Sequence, residues 1–433
     1  MFKLKNTLIF PAIHIPDIYL ICSLESVDLK DVLVICEESV AEHFGNPYNF
    51  IVDDLKSMDR LFLGIEEWGK KNERHFNSII GIDDEEQFRI TKKIADYFKI
   101  DFYSDKTLQA ASNKFVMKKR FEKNKVPTGK FCLVSNSDDS PVDGIKFPNV
   151  LKPVVSTGSE FIFFNRNKAE LDKNIKILKG VSQKYNDDSR FNEFSFIDEG
   201  KERMMDPKKE FLLEEYVDGV EYSLDFSIKD SDIDILRIVK KFSASQIGCF
   251  SSFYLMNKGS AEHYGLNWDN LKEMCKGVAS SLMIKKGVCM IDFKFVDGRL
   301  NIIETSIRPG LSTFIPLVYR LYGYTPLGIM IKTAQGVPSN EEMGEDEGMV
   351  IYLLAPHGGK LTKFDISRLK ELSDIDVIDV QKFDETGDIL VDTEFDHHDL
   401  QLGYMLVKNP GRENAEKIIK RISEAVVIEV KDG

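Results

Sequence analysis

Residues 287–310 read GVCMIDFKFVDGRLNIIETSIRPG. Val288–Val296 alternates and is rich in β-branched and aromatic residues, and Leu300–Glu304 continues in the same manner after Asp297-Gly298. This pattern predicts a β-hairpin. The turn type sets the chemistry. A two-residue Asp-Gly turn sends Asp292 and Glu304 to opposite faces, whereas a three-residue loop closed by a left-handed Gly298 sets them on one face. In the second case the two acids lie diagonally across the ladder, roughly 7–8 Å apart at the backbone, and a divalent cation between the carboxylates spans that gap. Pro309 keeps the chain before it extended. Glu304, Ser306 and Arg308 then project the same way at two-residue spacing. A solvated hairpin with a surface ion pair explains the charges. It does not explain two acids placed in otherwise apolar strands and followed by Arg-Pro-Gly.

The chain has 433 residues, enough for about three domains at roughly 150 residues each. A formal net charge of −13 argues against general nucleic-acid or anionic-membrane binding, while leaving room for a locally basic pocket. Cys22, Cys36, Cys132, Cys249, Cys275 and Cys289 are scattered, with no Cys-x-x-Cys, and read as reduced core thiols of a cytoplasmic protein. The N-terminal apolar run is interrupted by Pro11, His14, Pro16 and Asp17, so no signal peptide is expected, and no stretch has the length of a membrane span.

Residues 1–105 read as a small α/β domain. Thr7–Ile13, Asp31–Cys36 and Asn77–Ile82 suit buried parallel strands, and Asp83-Asp84-Glu85-Glu86 caps a helix carrying Ile90, Ile94 and Tyr97. No glycine-rich fingerprint follows the first strand. Residues 106–130 predict one lysine-rich helix, with Lys114, Met117 and Phe121 on one face. Val150–Pro153 ends a strand and leads into the small loop Val154–Ser159. Residues 182–210 have no clean period and read as a long charged insert that is mobile without ligands. Phe211–Ser223 joins a buried strand end to three acids, Glu214, Glu215 and Glu221. Trp268, Leu271, Cys275, Val278 and Leu282 make a helix behind the hairpin. A further helix is expected at about 315–335, then an acidic linker. An α+β unit follows over 348–433, in which Asp396-His397-His398-Asp399 reads as an exposed turn.

Taken in order, Lys114, Lys152, Glu214, Glu221, Asp292, Glu304 and Arg308 resemble the nucleotide site of the ATP-grasp superfamily. The branch it is most similar to is that of carboxylate–amine ligases, with L-amino-acid ligases and biotin carboxylases. The resemblance implies an ATP-grasp fold, α/β and α+β. It divides the chain into a Rossmann-like N-terminal domain over 1–105, an ATP-grasp domain over 106–338 with an insert at 182–210, and a C-terminal α+β cap over 348–433. It assigns ATP-phosphate contacts to Lys114 and Lys152, with Ser156, Gly158 and Ser159 in the loop over the phosphates. Glu214, Glu215 and Val217 would meet adenine, and Glu221 the ribose. Asp292, Glu304 and Ser306 would hold Mg²⁺ or Mn²⁺, with Ser306 standing where the family usually has Asn. Arg308 and Lys152 would be the catalytic groups.

The implied reaction joins a small-molecule carboxylate to an amine through an acyl phosphate, releasing ADP and phosphate. The implied setting is cytoplasmic, without nucleic acid or membrane, and a homodimer is one assembly open to the chain. Three other readings stand beside it. One is a carboxylase-type enzyme activating bicarbonate. The others are a non-catalytic ATP-binding regulator, which Ser306 alone favours, and a general α/β interaction protein.

Overall fold

The structure is a computed structural model. It describes residues 7–11, 32–36, 49–52, 57–82, 85–135, 145–156, 161–182, 191–198, 201–244, 250–337, 341–390, 400–411 and 414–431. Near the N-terminus, β1 (Thr7–Pro11), β2 (Val32–Cys36), β3 (Asn49–Val52) and β4 (Phe76–Ile79) form a parallel sheet in the order β3-β2-β1-β4. The β2 sequence VLVIC is buried at every position, as a parallel strand covered on both faces requires. Helices α1 (Met58–Lys71) and α2 (Glu85–Phe98) pack Leu61, Ile65, Ile90 and Ile94 against it. Tyr97 is exposed, stacked on Phe62 and hydrogen-bonded to Glu66. The expected cap at Asp83-Asp84 lies outside the described residues.

The single helix expected over 106–130 is two helices, α3 (Asp105–Ser112) and α4 (Lys114–Lys123). Asn113 leaves the helical region, and its side chain accepts the Val116 N–H, so it ends one helix and caps the next. The chain then crosses to the other half of the molecule, where the Ile302 N–H donates to the Pro127 carbonyl. Strands β5 (Phe131–Val134), β6 (Asn149–Pro153) and β7 (Phe163–Asn165), with β10 (Phe211–Glu215), form an antiparallel sheet ordered β5-β10-β6-β7. Helix α5 (Lys168–Ser182) covers it with Leu171, Ile175 and Leu178. The insert is not without structure. Within 191–205, β8 (Phe194–Asp198) and β9 (Lys201–Met205) form a two-stranded ribbon whose Phe196 ring meets Phe115 of α4.

The remaining strands make one sheet of eight, ordered β15-β14-β11-β12-β13-β16-β20-β18. Its members are β11 (Val220–Lys229), β12 (Asp232–Ser243), β13 (Phe250–Leu255), β14 (Lys286–Val296), β15 (Arg299–Ser306), β16 (Gly348–Leu354), β18 (Val377–Lys382) and β20 (Gln401–Lys408). The C-terminal unit thus extends the central sheet rather than only capping it. It adds a small sheet of β17 (Gly359–Asp365), β19 (Ile389–Leu390) and β21 (Val427–Lys431), with helix α10 (Ala415–Ala425). Two helices precede β14: α6 (Lys258–His263) and α7 (Trp268–Ser281), and α7 buries Leu271, Cys275 and Val278 on one face of the large sheet. The helix expected near 315–335 is also divided, into α8 (Phe314–Tyr322) and α9 (Pro326–Ala334). Gly323 ends α8 in the left-handed region, and Thr325 with Pro326 starts α9. Both cover the opposite face of the sheet.

The expected three-residue hairpin loop is a two-residue turn. Val296 pairs with Arg299, and Asp297 and Gly298 both have positive φ, 50° and 75°, as a type I′ turn requires. The carboxylates still share a face because β15 carries a bulge. Phe293 pairs with Ile302 but Asp292 pairs with Glu304, leaving Ile303 as the extra residue. The acids are therefore directly opposite, not diagonal.

On the same face, farther along, Asp225 and Arg237 are fully buried and joined by two bonds of 2.7 and 2.8 Å. Asp225 also accepts the Gly310 N–H at 2.9 Å, and the Arg237 guanidinium lies 4.0 Å from the Phe314 ring centroid. A Cβ on residue 310 would fall 2.6 Å from the guanidinium, which accounts for glycine there. This pair ties the chain leaving β15 to the middle of the sheet. Arg237→Met leaves Asp225 as an uncompensated buried charge and is expected to cost about 3–5 kcal/mol in urea unfolding. The double change Arg237→Met with Asp225→Leu should recover most of that loss. A double variant no more stable than the single one would show that the pair stabilises the fold in some other way.

Candidate active site

Two sheets face each other across a groove, and lysines line both walls. Lys152 on β6 and Glu214 on β10 are diagonal neighbours, since Lys152 pairs with Leu212 and Glu214 with Val150. The Lys152 ammonium is 2.6 Å from one Glu214 oxygen and that of Lys118 is 2.7 Å from the other. Lys118 comes from the inner side of α4 and is 3 % exposed. Burial alone would push the Glu214 carboxyl up, but the two ammoniums outweigh it and hold the group below its ordinary value. Lys114, in the first turn of α4, donates to the Ser156 carbonyl at 2.7 Å and its hydroxyl at 3.3 Å, and lies 3.4 Å from Glu304. Gly158 and Ser159 lie outside the described residues.

Asp292 and Glu304 occupy the floor. Asp292 Oδ2 accepts from Lys241 at 2.9 Å, and its Oδ1 is buried without a hydrogen-bond partner. The Lys241 ammonium also donates to Glu221 Oε1 at 2.9 Å. Glu304 is a third exposed, at 34 %. An orphaned carboxylate oxygen beside a second, half-open carboxylate suits a hard cation such as Mg²⁺ or Mn²⁺, which prefers oxygen ligands. Ser306 and Arg308 line the same space beyond Glu304. Among the described residues no group of three or more His, Cys, Asp or Glu converges, here or elsewhere.

The groove holds two cavities. One, of about 340 Å³, is lined by Lys118, Lys152, Glu214, Val217, Glu221 and Lys241 among others. The other, of about 660 Å³, lies between α2, α3, the start of α4, the β8–β9 ribbon and the β14–β15 pair. Asp292 and Glu304 are the two residues that line both. At the far end of the smaller cavity, Glu215 accepts the Lys130 N–H at 3.4 Å. The Val217 carbonyl accepts from Lys294 at 2.9 Å, and that ammonium stands 4.5 Å from the Tyr216 ring centroid.

The predicted residues on the described chain therefore converge on one groove. The sequence reading gives no role to Lys118, Lys241 or Lys294. Alternation could have found Lys294, two residues after Asp292 on the same face of β14. Lys118 stands one helical turn after Lys114, and its partner Glu214 is on β10, far away in the chain.

Residues 145–310 match the family model described as the ATP-grasp domain. The chain carries an ATP-grasp domain. Its fold as a whole is the ATP-grasp fold, seen also in solved structures of low sequence identity. The L-amino acid ligase from Bacillus licheniformis superposes with a TM-score of 0.75 at 14 % identity, over 100 % of both chains. N5-carboxyaminoimidazole ribonucleotide synthetase from Thermotoga maritima gives 0.64 at 15 %, over 99 % of this chain and 100 % of that one. Biotin carboxylase from Campylobacter jejuni gives 0.63 at 14 %, over 98 % and 92 %. No curated protein matches the sequence significantly. No helix among the described residues is long and apolar enough to cross a membrane.

The ion pairs give this groove a defined response to acid. The Glu304 carboxyl lies at about 2 against an ordinary 4.5: burial works to raise it, and Lys114, Lys152 and Lys241 together outweigh burial. Because the folded value is the lower one, the stabilisation is complete above about 4.5 and is lost as pH falls toward about 2. Acid unfolding followed by circular dichroism is expected to be steeper in this window for the wild type than for Glu304→Gln. Parallel curves would mean that the lysines do not act on Glu304.

Proposed function

We propose that the protein is an ATP-dependent, ADP-forming ligase that activates a small carboxylate as an acyl phosphate and joins it to an amine. The observation that carries this reading is the meeting of two cavities at Asp292 and Glu304, the two described residues that line both. A nucleotide in the smaller cavity and an acceptor in the larger one would bring the terminal phosphate and the attacking carboxylate together above those two acids. The larger cavity, about 660 Å³, exceeds the needs of bicarbonate and accommodates a carboxylate and an amine together.

In this reading Lys114 and Lys152 bind phosphate oxygens as point charges, and Ser156 lies beside Lys114 under the phosphates. Glu214, which holds Lys118 and Lys152, sets the lysine positions; the hinge Glu215–Val217 borders the base, and Glu221 the ribose. Asp292 and Glu304, with Ser306 beyond them, would hold Mg²⁺ or Mn²⁺, which when bound neutralises charge on the phosphates. A substrate carboxylate oxygen attacks the γ-phosphorus, and ADP leaves as the bond to its β-phosphate oxygen breaks. The amine nitrogen then attacks the acyl carbon, phosphate departs, and the amine proton passes to solvent. Arg308 faces the larger cavity, where its donor fork suits the acyl phosphate and the oxyanion formed from it. In one solved relative, the biotin carboxylase domain of Hydrogenobacter thermophilus 2-oxoglutarate carboxylase, MgADP, ADP and bicarbonate are bound.

Incubation of the protein with MgATP and paired amino acids or small carboxylates and amines is expected to yield ADP and phosphate. Arg308→Ala should lower kcat by roughly 100-fold with the KM for ATP little changed, since the group acts beyond the nucleotide. Glu304→Gln should lower kcat at least as far. AMP as the primary product in chromatography would overturn the reading.

A further inference from the structure

We propose that Lys241 keeps the carboxylate pair closed to a free divalent cation, so that the groove accepts the metal only together with a nucleotide's phosphates. This rests on the reading of the smaller cavity as a nucleotide site, but its central claim concerns the protein alone.

Asp292, Glu221 and Lys241 lie on three neighbouring strands, β14, β11 and β12. From β12 the Lys241 side chain crosses β11 to reach Asp292, two strand spacings away, or roughly 9–10 Å between backbones. Its ammonium sits 2.9 Å from Glu221 Oε1 and 2.9 Å from Asp292 Oδ2, and 4.6 Å from the Phe250 ring centroid. The side chain is 8 % exposed, so this is a buried bridge rather than a surface pair. Glu304 likewise has Lys114 at 3.4 Å. Each carboxylate on the floor therefore already has a lysine counter-ion. A cation arriving alone would meet two ammoniums at contact range, and it would find two carboxylates where it normally takes six or more oxygen ligands. Asp292 Oδ1 remains open, but a single oxygen does not hold a divalent ion.

A triphosphate removes both obstacles. Its oxygens supply ligands, and its charge offers the lysines another partner. Lys241 lines the smaller cavity, so its ammonium can turn toward a phosphate without leaving the groove. A lysine suits this exchange because its charge rides on a flexible stem with three equivalent donors. In moving, it frees Glu221 as well as Asp292. One side chain thus links the ribose-side carboxylate to the metal-side carboxylate, and neither is released without the other.

The test is binding of Mn²⁺, followed by electron paramagnetic resonance, to the purified full-length protein. Wild type with Mn²⁺ alone is expected to show negligible binding. Addition of a non-hydrolysable ATP analogue should tighten it by about 20-fold or more. Lys241→Met should bind Mn²⁺ without nucleotide, about tenfold or more tighter than wild type, and Lys241→Arg, which keeps the charge, should not. Adding Asp292→Asn to Lys241→Met should abolish the gain, assigning it to that carboxylate. Circular dichroism checks that each variant is folded. Tight Mn²⁺ binding by the nucleotide-free wild type would overturn the proposal, as would a folded Lys241→Met no better than wild type. Failure of the ATP analogue to bind wild type would instead count against the nucleotide reading, and the arms with Mn²⁺ alone would still decide the role of Lys241.

Discussion

Ile303 has no partner across the ladder from β14. A type I′ turn at Asp297-Gly298 forces a two-residue hairpin, and in an unbroken ladder from that turn Asp292 would face Ile303. Glu304 would then turn to the other face of the sheet, where α7 buries Cys275 and Val278 and where an ionised carboxylate is costly. The one-residue bulge shifts the remainder of β15 and returns Glu304 to the groove. Ser306 follows it, paired with Met290, and Arg308 lies beyond. The floor of the site depends on this irregularity.

The walls depend on charge. Lys118, Glu214 and Lys152 form a buried chain, and Lys241 bridges Glu221 and Asp292. Buried ion pairs seldom add much net stability, so their value here lies in fixing position. The two kinds of cation are used differently. Arg237, with its planar fork, is locked to Asp225, which in turn accepts the Gly310 N–H. The groove itself uses lysines, compact charges on flexible stems, which can change partners when a polyanion enters.

Much of this was legible in the sequence, and the gaps have physical causes. The lysines and acids carry local signals, because Lys114 starts a helix, Lys152, Glu214 and Glu221 lie near strand ends, and Asp292 and Glu304 interrupt otherwise apolar strands. Alternation of apolar residues identified β14 and β15, but a bulge adds one residue without changing composition, so the shared face was expected from the wrong turn. Asn113 divides a helix that its neighbours favour, and only its hydrogen bond to Val116 shows that it acts as a cap. Charge density in the insert hid a period of two in which Phe194 and Phe196 alternate with Ser195 and the exposed Ile197. The role of Lys241 depends on the registers of three strands, which no local window contains.

The two cavities differ in what builds them. The smaller is lined almost wholly by residues on or next to strands of the two central sheets, whose positions are coupled through cross-strand pairing. The larger shares Asp292, Glu304 and the end of β15 with that framework, but its other walls come from α2, α3 and the β8–β9 ribbon. Those walls reach the sheets through side chains, not through shared ladders: Phe196 of the ribbon meets Phe115 of α4, which in turn packs on Phe131 of β5. Substitutions there can reshape the larger cavity while leaving the register of Asp292, Glu304 and the lysines intact. In the proposed reading the choice of acceptor is therefore separable from phosphoryl chemistry, and Asp292 and Glu304, which line both cavities, are the residues through which a change on one side reaches the other.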